Sequence, residues 1–116
     1  MSKTKTIFAR IIDGEIPSER VHEDDDMIAI RDVHPVAPTH ILIIPKKPIV
    51  NIDDAAPEDA LLLGRMLLRA AQIAREAGFA KNGYRLVFNT NQDGGQSVYH
   101  LHLHLIAGRA MGWPPG

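Results

Sequence analysis

Residues 100–106 read His-Leu-His-Leu-His-Leu-Ile, an alternation that fits one regular backbone. In a β-strand successive side chains point to opposite faces, so the three imidazoles share one face and Leu101, Leu103 and Leu105 the other. The pattern predicts a half-buried strand over His100–Ile106, its leucines in a core and its imidazoles on an uncovered polar face. At about 3.3 Å of rise per residue, neighbouring imidazoles leave the strand about 6.6 Å apart. Just upstream, Asp93-Gly94-Gly95-Gln96-Ser97 supplies two glycines and several exposed donors. A donor-rich loop beside a row of imidazoles reads as an anion site, with phosphate the foremost anion.

That anion has to be attracted locally. Thirteen basic against 14 acidic residues give a formal net charge of −1, which supports neither a nucleic-acid surface nor a membrane surface. There is no cysteine, which excludes disulfides and thiolate metal sites. No apolar run approaches the roughly 20 residues that span a bilayer, and the start of the chain lacks a signal-peptide apolar stretch. A cytoplasmic location is the expectation.

Along the 116 residues the periodicities predict a single domain over 6–116 behind a disordered tail, residues 1–5. Thr6 can cap a short helix whose apolar positions Ile7, Phe8, Ile11 and Ile12 have helical spacing and which Gly14 ends. Residues 19–23 and 27–31 read as a hairpin around the Asp24-Asp25-Asp26 turn. His40–Ile44 is too apolar for an edge and is expected as a central strand closed by Pro45. Residues 57–77 carry an apolar stripe of Leu62, Leu63, Met66, Leu67, Ala70, Ile73, Ala74 and Ala77, a long helix capped by Asp53 or Asp54 and stopped by Gly78. Tyr84–Phe88 is a further strand. The expected architecture is α+β: a five-stranded antiparallel meander covered on one face by the long helix, with a short N-terminal helix.

Three readings compete for the histidines. Zinc takes imidazoles at about 2.0–2.1 Å. The first and third ring leave a regular strand about 13 Å apart and cannot meet at one ion. Adjacent members would need His40 or a carboxylate as further ligands. Plain surface histidines are the second reading, weakened by three in register beside a Gly-Gly loop. The third is nucleophilic chemistry on phosphorus: neutral imidazole offers a nucleophilic nitrogen near pH 7, and a second imidazole can stabilise phosphate charge. His102, flanked on both sides, is the nucleophile by position.

His100–Ile106 has the His-φ-His-φ-His-φ-φ form of the histidine triad family. The resemblance extends through Asp93–Tyr99, Ala37-Pro38-Thr39-His40, Ile44-Pro45-Lys46-Lys47 and the tail Trp113-Pro114-Pro115-Gly116. The chain is similar to the branch of histidine triad nucleotide-binding proteins, Hint. The resemblance implies an intracellular homodimer hydrolysing purine nucleoside phosphoramidates, with no metal and no cofactor. It assigns His102 as the nucleophile, His104 and His100 as its flanking groups, and His40 as their support. Asp32 and Val33 fall where the family holds ribose. Asn89, Gly95, Gln96 and Ser97 fall where it holds phosphate and leaving group, Ser97 among the catalytic residues. Ile7, Phe8, Ile11, Ile16 and Ile30 match its base pocket, and Trp113 its contact with the partner's site. Pro48 departs from the family's histidine, so no outer proton relay runs there, and Gly112 replaces a bulkier residue. Two alternatives remain: a nucleotide-binding regulatory or scaffold protein with incidental hydrolysis, and a dinucleoside polyphosphate hydrolase. The Gly-Gly-Gln-Ser loop and the Trp-Pro-Pro-Gly tail favour the phosphoramidase branch.

Overall fold

The computed structural model describes residues 5–116. The tail expected at 1–5 lies outside them except for Lys5, which pairs with Asp13 and Glu15. The elements run α1 (Ile7–Ile12), β1 (Arg20–Glu23), β2 (Met27–Arg31), β3 (Thr39–Pro45), α2 (Ala60–Ala77), β4 (Tyr84–Val87) and β5 (Leu103–Ala107). The strands form one antiparallel sheet in the order β1-β2-β3-β5-β4. The chain meanders through β3; after α2 it lays down β4 at the far edge, and β5 returns between β3 and β4. This puts His104 of β5 beside His40 of β3. Among the described residues no helix is long and apolar enough to cross a membrane.

Local chemistry sets the element ends. Thr6 Oγ1 accepts from the Ala9 amide at 3.1 Å and caps α1. The β1–β2 turn is an Asx turn in which Asp24 Oδ1 accepts from the amides of Asp26 and Met27. The long helix opens with one 3₁₀ turn, Pro57–Asp59, and its cap is not Asp53 or Asp54. Asp59 instead accepts from the Ala56 amide at 2.9 Å, because the 3₁₀ turn places its carboxylate over that orphan donor. Gly78 ends α2 in the left-handed region at φ 88°.

The expectation of an uncovered imidazole face is corrected. β2 and β3 are apolar on both faces. On one, Met66, Ala70 and Ile73 of α2 pack on Ala29, Ile41, Ile43, Leu101, Leu103 and Leu105. On the other, Phe8 and Ile11 of α1 pack on Ile28, Ile30, Leu42 and Ile44. Burying each large aliphatic side chain contributes about 1.5–3 kcal/mol, so α1 is held by its apolar stripe despite its length of 6 residues. The imidazoles emerge beside this second core, and His100 and His102 are buried.

The strand itself is shorter than its alternation implies. His100, Leu101 and His102 precede β5, whose last pairing with β3 is Ile43↔Leu103. Beyond that point the Leu101 amide leaves the ladder for the Ile49 carbonyl at 2.7 Å. Pro45, which has no N–H, gives its carbonyl to the His100 ring instead. Alternation persists without the ladder, keeping Leu101 in the core and His102 on the face of His104.

Candidate active site

The histidine protons are assigned by partners that can act in one direction only. The His100 carbonyl is an acceptor, so the 2.8 Å contact from His102 Nδ1 is an N–H donation that leaves the Nε2 lone pair free. Phe8 meets the His102 ring edge to face with centroids 4.8 Å apart, fixing its plane. The Val36 amide donates to His40 Nδ1 at 3.2 Å, so neutral His40 carries its proton on Nε2 and donates to His104 Nδ1 at 2.9 Å. Neutral His104 therefore carries its proton on Nε2. His100 Nε2 donates to the Pro45 carbonyl at 2.8 Å. The arrangement leaves a lone pair on His102 Nε2 and a proton on His104 Nε2, on rings 4.9 Å apart between centroids.

Burial favours the neutral rings. It pushes His104 down to about 4, the neighbouring His102 and His40 adding to the effect and Asp32 opposing it. Burial likewise lowers His102, with the His100 carbonyl as the largest opposing influence, and lowers His100 against the Pro45 carbonyl. Near pH 7 the His102 lone pair is thus unprotonated without any general base.

The His102 and His104 rings open onto a cavity of about 680 Å³, within the range of small-molecule sites. Ile7, Phe8, Ile11, Ile16 and Ile30 form its apolar wall. Asp32, Val33, Ser97, His102 and His104 form the rest of the expected lining. Sequence reasoning missed Leu42 and Val98, which complete the apolar wall, and Glu19, Arg31 and His34 at the rim. The alternation of β3 places Leu42 on the face of His40 and could have identified it. The rim residues come from the ends of β1 and β2 and carry no local signal.

Other expected residues stand apart from the cavity. His40 lies behind His104, and His100 is tied to Pro45. Asn89 and Gly95 do not line the cavity. The Gln96 amide is committed to the protein: Oε1 accepts from the Asn91 amide and Asn51, and Nε2 donates to the carbonyls of Val50 and Val98. Its side chain has no hydrogen-bonding atom left for phosphate and holds the loop instead. Trp113 is 86% exposed.

Asp32, His40 and His104 place one ligand-type atom each within 4.8 Å of one another. Within this trio the His40–His104 contact is a hydrogen bond, and its polarity leaves His40 Nε2 carrying a proton. A cation on His40 Nε2 would have to move that nitrogen's proton to Nδ1, where the Val36 N–H already points. Asp32 Oδ1 accepts from the His34 amide at 2.8 Å, and Oδ2 lies 3.5 Å from His40 Nε2.

Comparison with known proteins extends this geometry. The HIT domain family model matches residues 13–111. The chain is 53% identical to the purine nucleoside phosphoramidase of Escherichia coli K12, over 93% of this chain and 91% of that protein. It is 54% identical to an uncharacterised HIT-like protein of Synechococcus elongatus, over 96% of each. A crystal structure of a HIT family hydrolase from Legionella pneumophila superposes with a TM-score of 0.94 at 53% identity, covering 97% of this chain and all of that one.

Proposed function

The chain belongs to the histidine triad (HIT domain) family, and from that premise we propose that it is a purine nucleoside phosphoramidase working as a cytoplasmic homodimer. The observation that carries this reading is the tautomer of His102: a buried, neutral ring with Nδ1–H held by a carbonyl and Nε2 free beside an apolar cavity. The cavity's apolar wall suits a purine, and the Asp32 carboxylate suits the ribose hydroxyls, accepting hydrogen bonds from both.

In the first half-reaction His102 Nε2 attacks phosphorus and the P–N bond breaks. The nitrogen departs as the amine, gaining a solvent proton relayed by the Ser97 hydroxyl. The His102 ring becomes cationic, and its Nδ1–H bond to the His100 carbonyl strengthens as that charge develops. His104 Nε2–H donates to a phosphoryl oxygen. In the second half water attacks phosphorus, the bond to Nε2 breaks, and the released proton balances the one consumed. The products are the nucleoside monophosphate and the amine. Dividing the displacement lets one set of donors serve both halves.

Dimerisation is supported by β4, an edge strand with one free side, and by the exposed Trp113. The test is to quench wild-type protein during turnover of an adenosine phosphoramidate and locate the adduct by mass spectrometry. A nucleotidyl group on His102 is expected, and His102→Ala should lose at least about a thousandfold in turnover while still binding AMP. An adduct on another histidine, or a fully active variant, would remove the assignment.

A further inference from the structure

We propose that Asn51, which lies outside every motif of the triad, is a positioning residue that sets Ser97 for reaction; this rests on the phosphoramidase reading. Asn51 follows β3 by six positions and is 4% exposed. Its Nδ2 donates to Asn91 Oδ1 at 2.9 Å and to Gln96 Oε1 at 3.1 Å, and its Oδ1 accepts from the Asp54 amide at 3.0 Å. These directions are forced. The carbonyls of Val50 and Val98 only accept, which assigns Gln96 Nε2; the Asn91 N–H only donates, which assigns Oε1. Asn51 must therefore present its amino group to both loop amide oxygens.

The consequence falls on Ser97. Gln96 Nε2 holds the Val98 carbonyl on one side of Ser97, and Gln96 Oε1 holds the Asn91 amide at the loop's start. Asn91 adopts the left-handed region at φ 60°, which asparagine tolerates better than other non-glycine residues, and so turns the chain into the loop. Ser97 itself is exposed at the cavity and, among the described residues, its side chain has no comparable anchor of its own. Its hydroxyl is placed by the residues on either side, and their frame is locked by Asn51 from a different part of the chain. The amides of Asn51 and Gln96 are buried and resist displacement, because breaking one of their bonds leaves another polar atom unpaired.

The substitution Asn51→Asp keeps the shape, retains the bond from Asp54, and sets a carboxylate against two amide oxygens. The experiment measures turnover of an adenosine phosphoramidate by wild type, Asn51→Asp, Ser97→Ala and the double variant. Asn51→Asp should lower kcat by about tenfold or more, the scale on which small misplacement of a reacting group acts, and leave KM within about twofold. In the Ser97→Ala background the same change should cost less than about twofold, because the group being positioned is gone. Amide exchange should quicken at Asn91 and Gln96 and stay unchanged in β3 and β5. Equal losses in both backgrounds, an effect on KM alone, an unchanged kcat, or faster exchange across the sheet would overturn the proposal. If Asn51→Asp does not fold, Asn51→Ala removes the same donors with less repulsion and is judged by the same four outcomes. A wild type inert towards phosphoramidates would defeat the hydrolase reading instead, and exchange would then decide by itself whether Asn51 orders residues 91–97.

Discussion

His40 Nε2 and His104 Nδ1 lie 2.9 Å apart across β3 and β5, with the proton on His40. The direction is imposed by Val36, whose N–H occupies the other nitrogen of His40. It turns the outward nitrogen of His104 into a donor beside the free lone pair of His102. Two neutral imidazoles thereby present opposite groups, one a lone pair and one a proton, without either being ionised.

Asp32 stands beside this histidine pair and at the cavity wall. Asp32→Asn keeps an acceptor for the His34 amide but loses the charge that ribose hydroxyls would meet. Hydrogen bonds to a charged group contribute about 1.5–3 kcal/mol, so AMP affinity by calorimetry should fall roughly 10- to 100-fold. The penalty should be smaller for 2′-deoxy-AMP, which offers one hydroxyl fewer. An equal penalty for both nucleotides would place the ribose elsewhere.

The buried rings set the response to acid. His104 falls from its ordinary 6.5 to about 4 in the folded protein, and His100 and His102 move the same way. Between about pH 6.5 and 4 the unfolded chain binds protons that the native His104 refuses, so stability rises with pH through this window and is fully present above it. Denaturation at stepped pH should show that slope. The acid limb of kcat/KM, which reports the free enzyme, should have its midpoint below 6.5. A midpoint at or above 6.5 would contradict a neutral, desolvated His102.

Gly94 is required by space. A Cβ there would lie 2.4 Å from the Thr90 carbonyl oxygen and 2.8 Å from the Thr90 nitrogen, backbone atoms held in the loop. Gly94→Ala should cost about 1–3 kcal/mol, the range for overpacking, and lower the melting temperature by several degrees. Turnover should fall with it as the Ser97 loop shifts. At Gly112 a Cβ meets nothing within 4 Å, so Gly112→Ala should melt like wild type.

The C-terminal tail is tied to β4 by a 2.7 Å bond from Arg85 Nη2 to the Gly112 carbonyl, leaving Trp113 exposed. Deleting residues 111–116 should leave a dimer by light scattering while reordering preference among amine leaving groups. A monomeric wild type would remove the dimer proposal. An unchanged ranking after deletion would remove the role given to Trp113.

The sequence by itself determined whatever depends on neighbours a few positions apart. Alternation placed the leucines at 101, 103 and 105 in a core and the imidazoles together opposite, because side-chain direction is fixed by the backbone repeat. Thr6, Gly78 and Asp24 announced two helix ends and a turn, since their bonds close within three or four residues. The stripe from Leu62 to Ala77 announced α2, and the triad with its loop announced the family. Tertiary structure decided what each polar atom meets. The acceptor for His100 is 55 positions away and the partner of His104 is 64 away, so no local pattern could assign their protons. Gln96 looks like a ligand for phosphate until Val50, 46 positions back, takes its amide. The triad face looks solvent-exposed until Phe8 arrives from the other end of the chain. Hydrogen-bond polarity and burial depend on groups brought together by folding, and they left a row of histidines with a free lone pair on one ring and a proton on its neighbour.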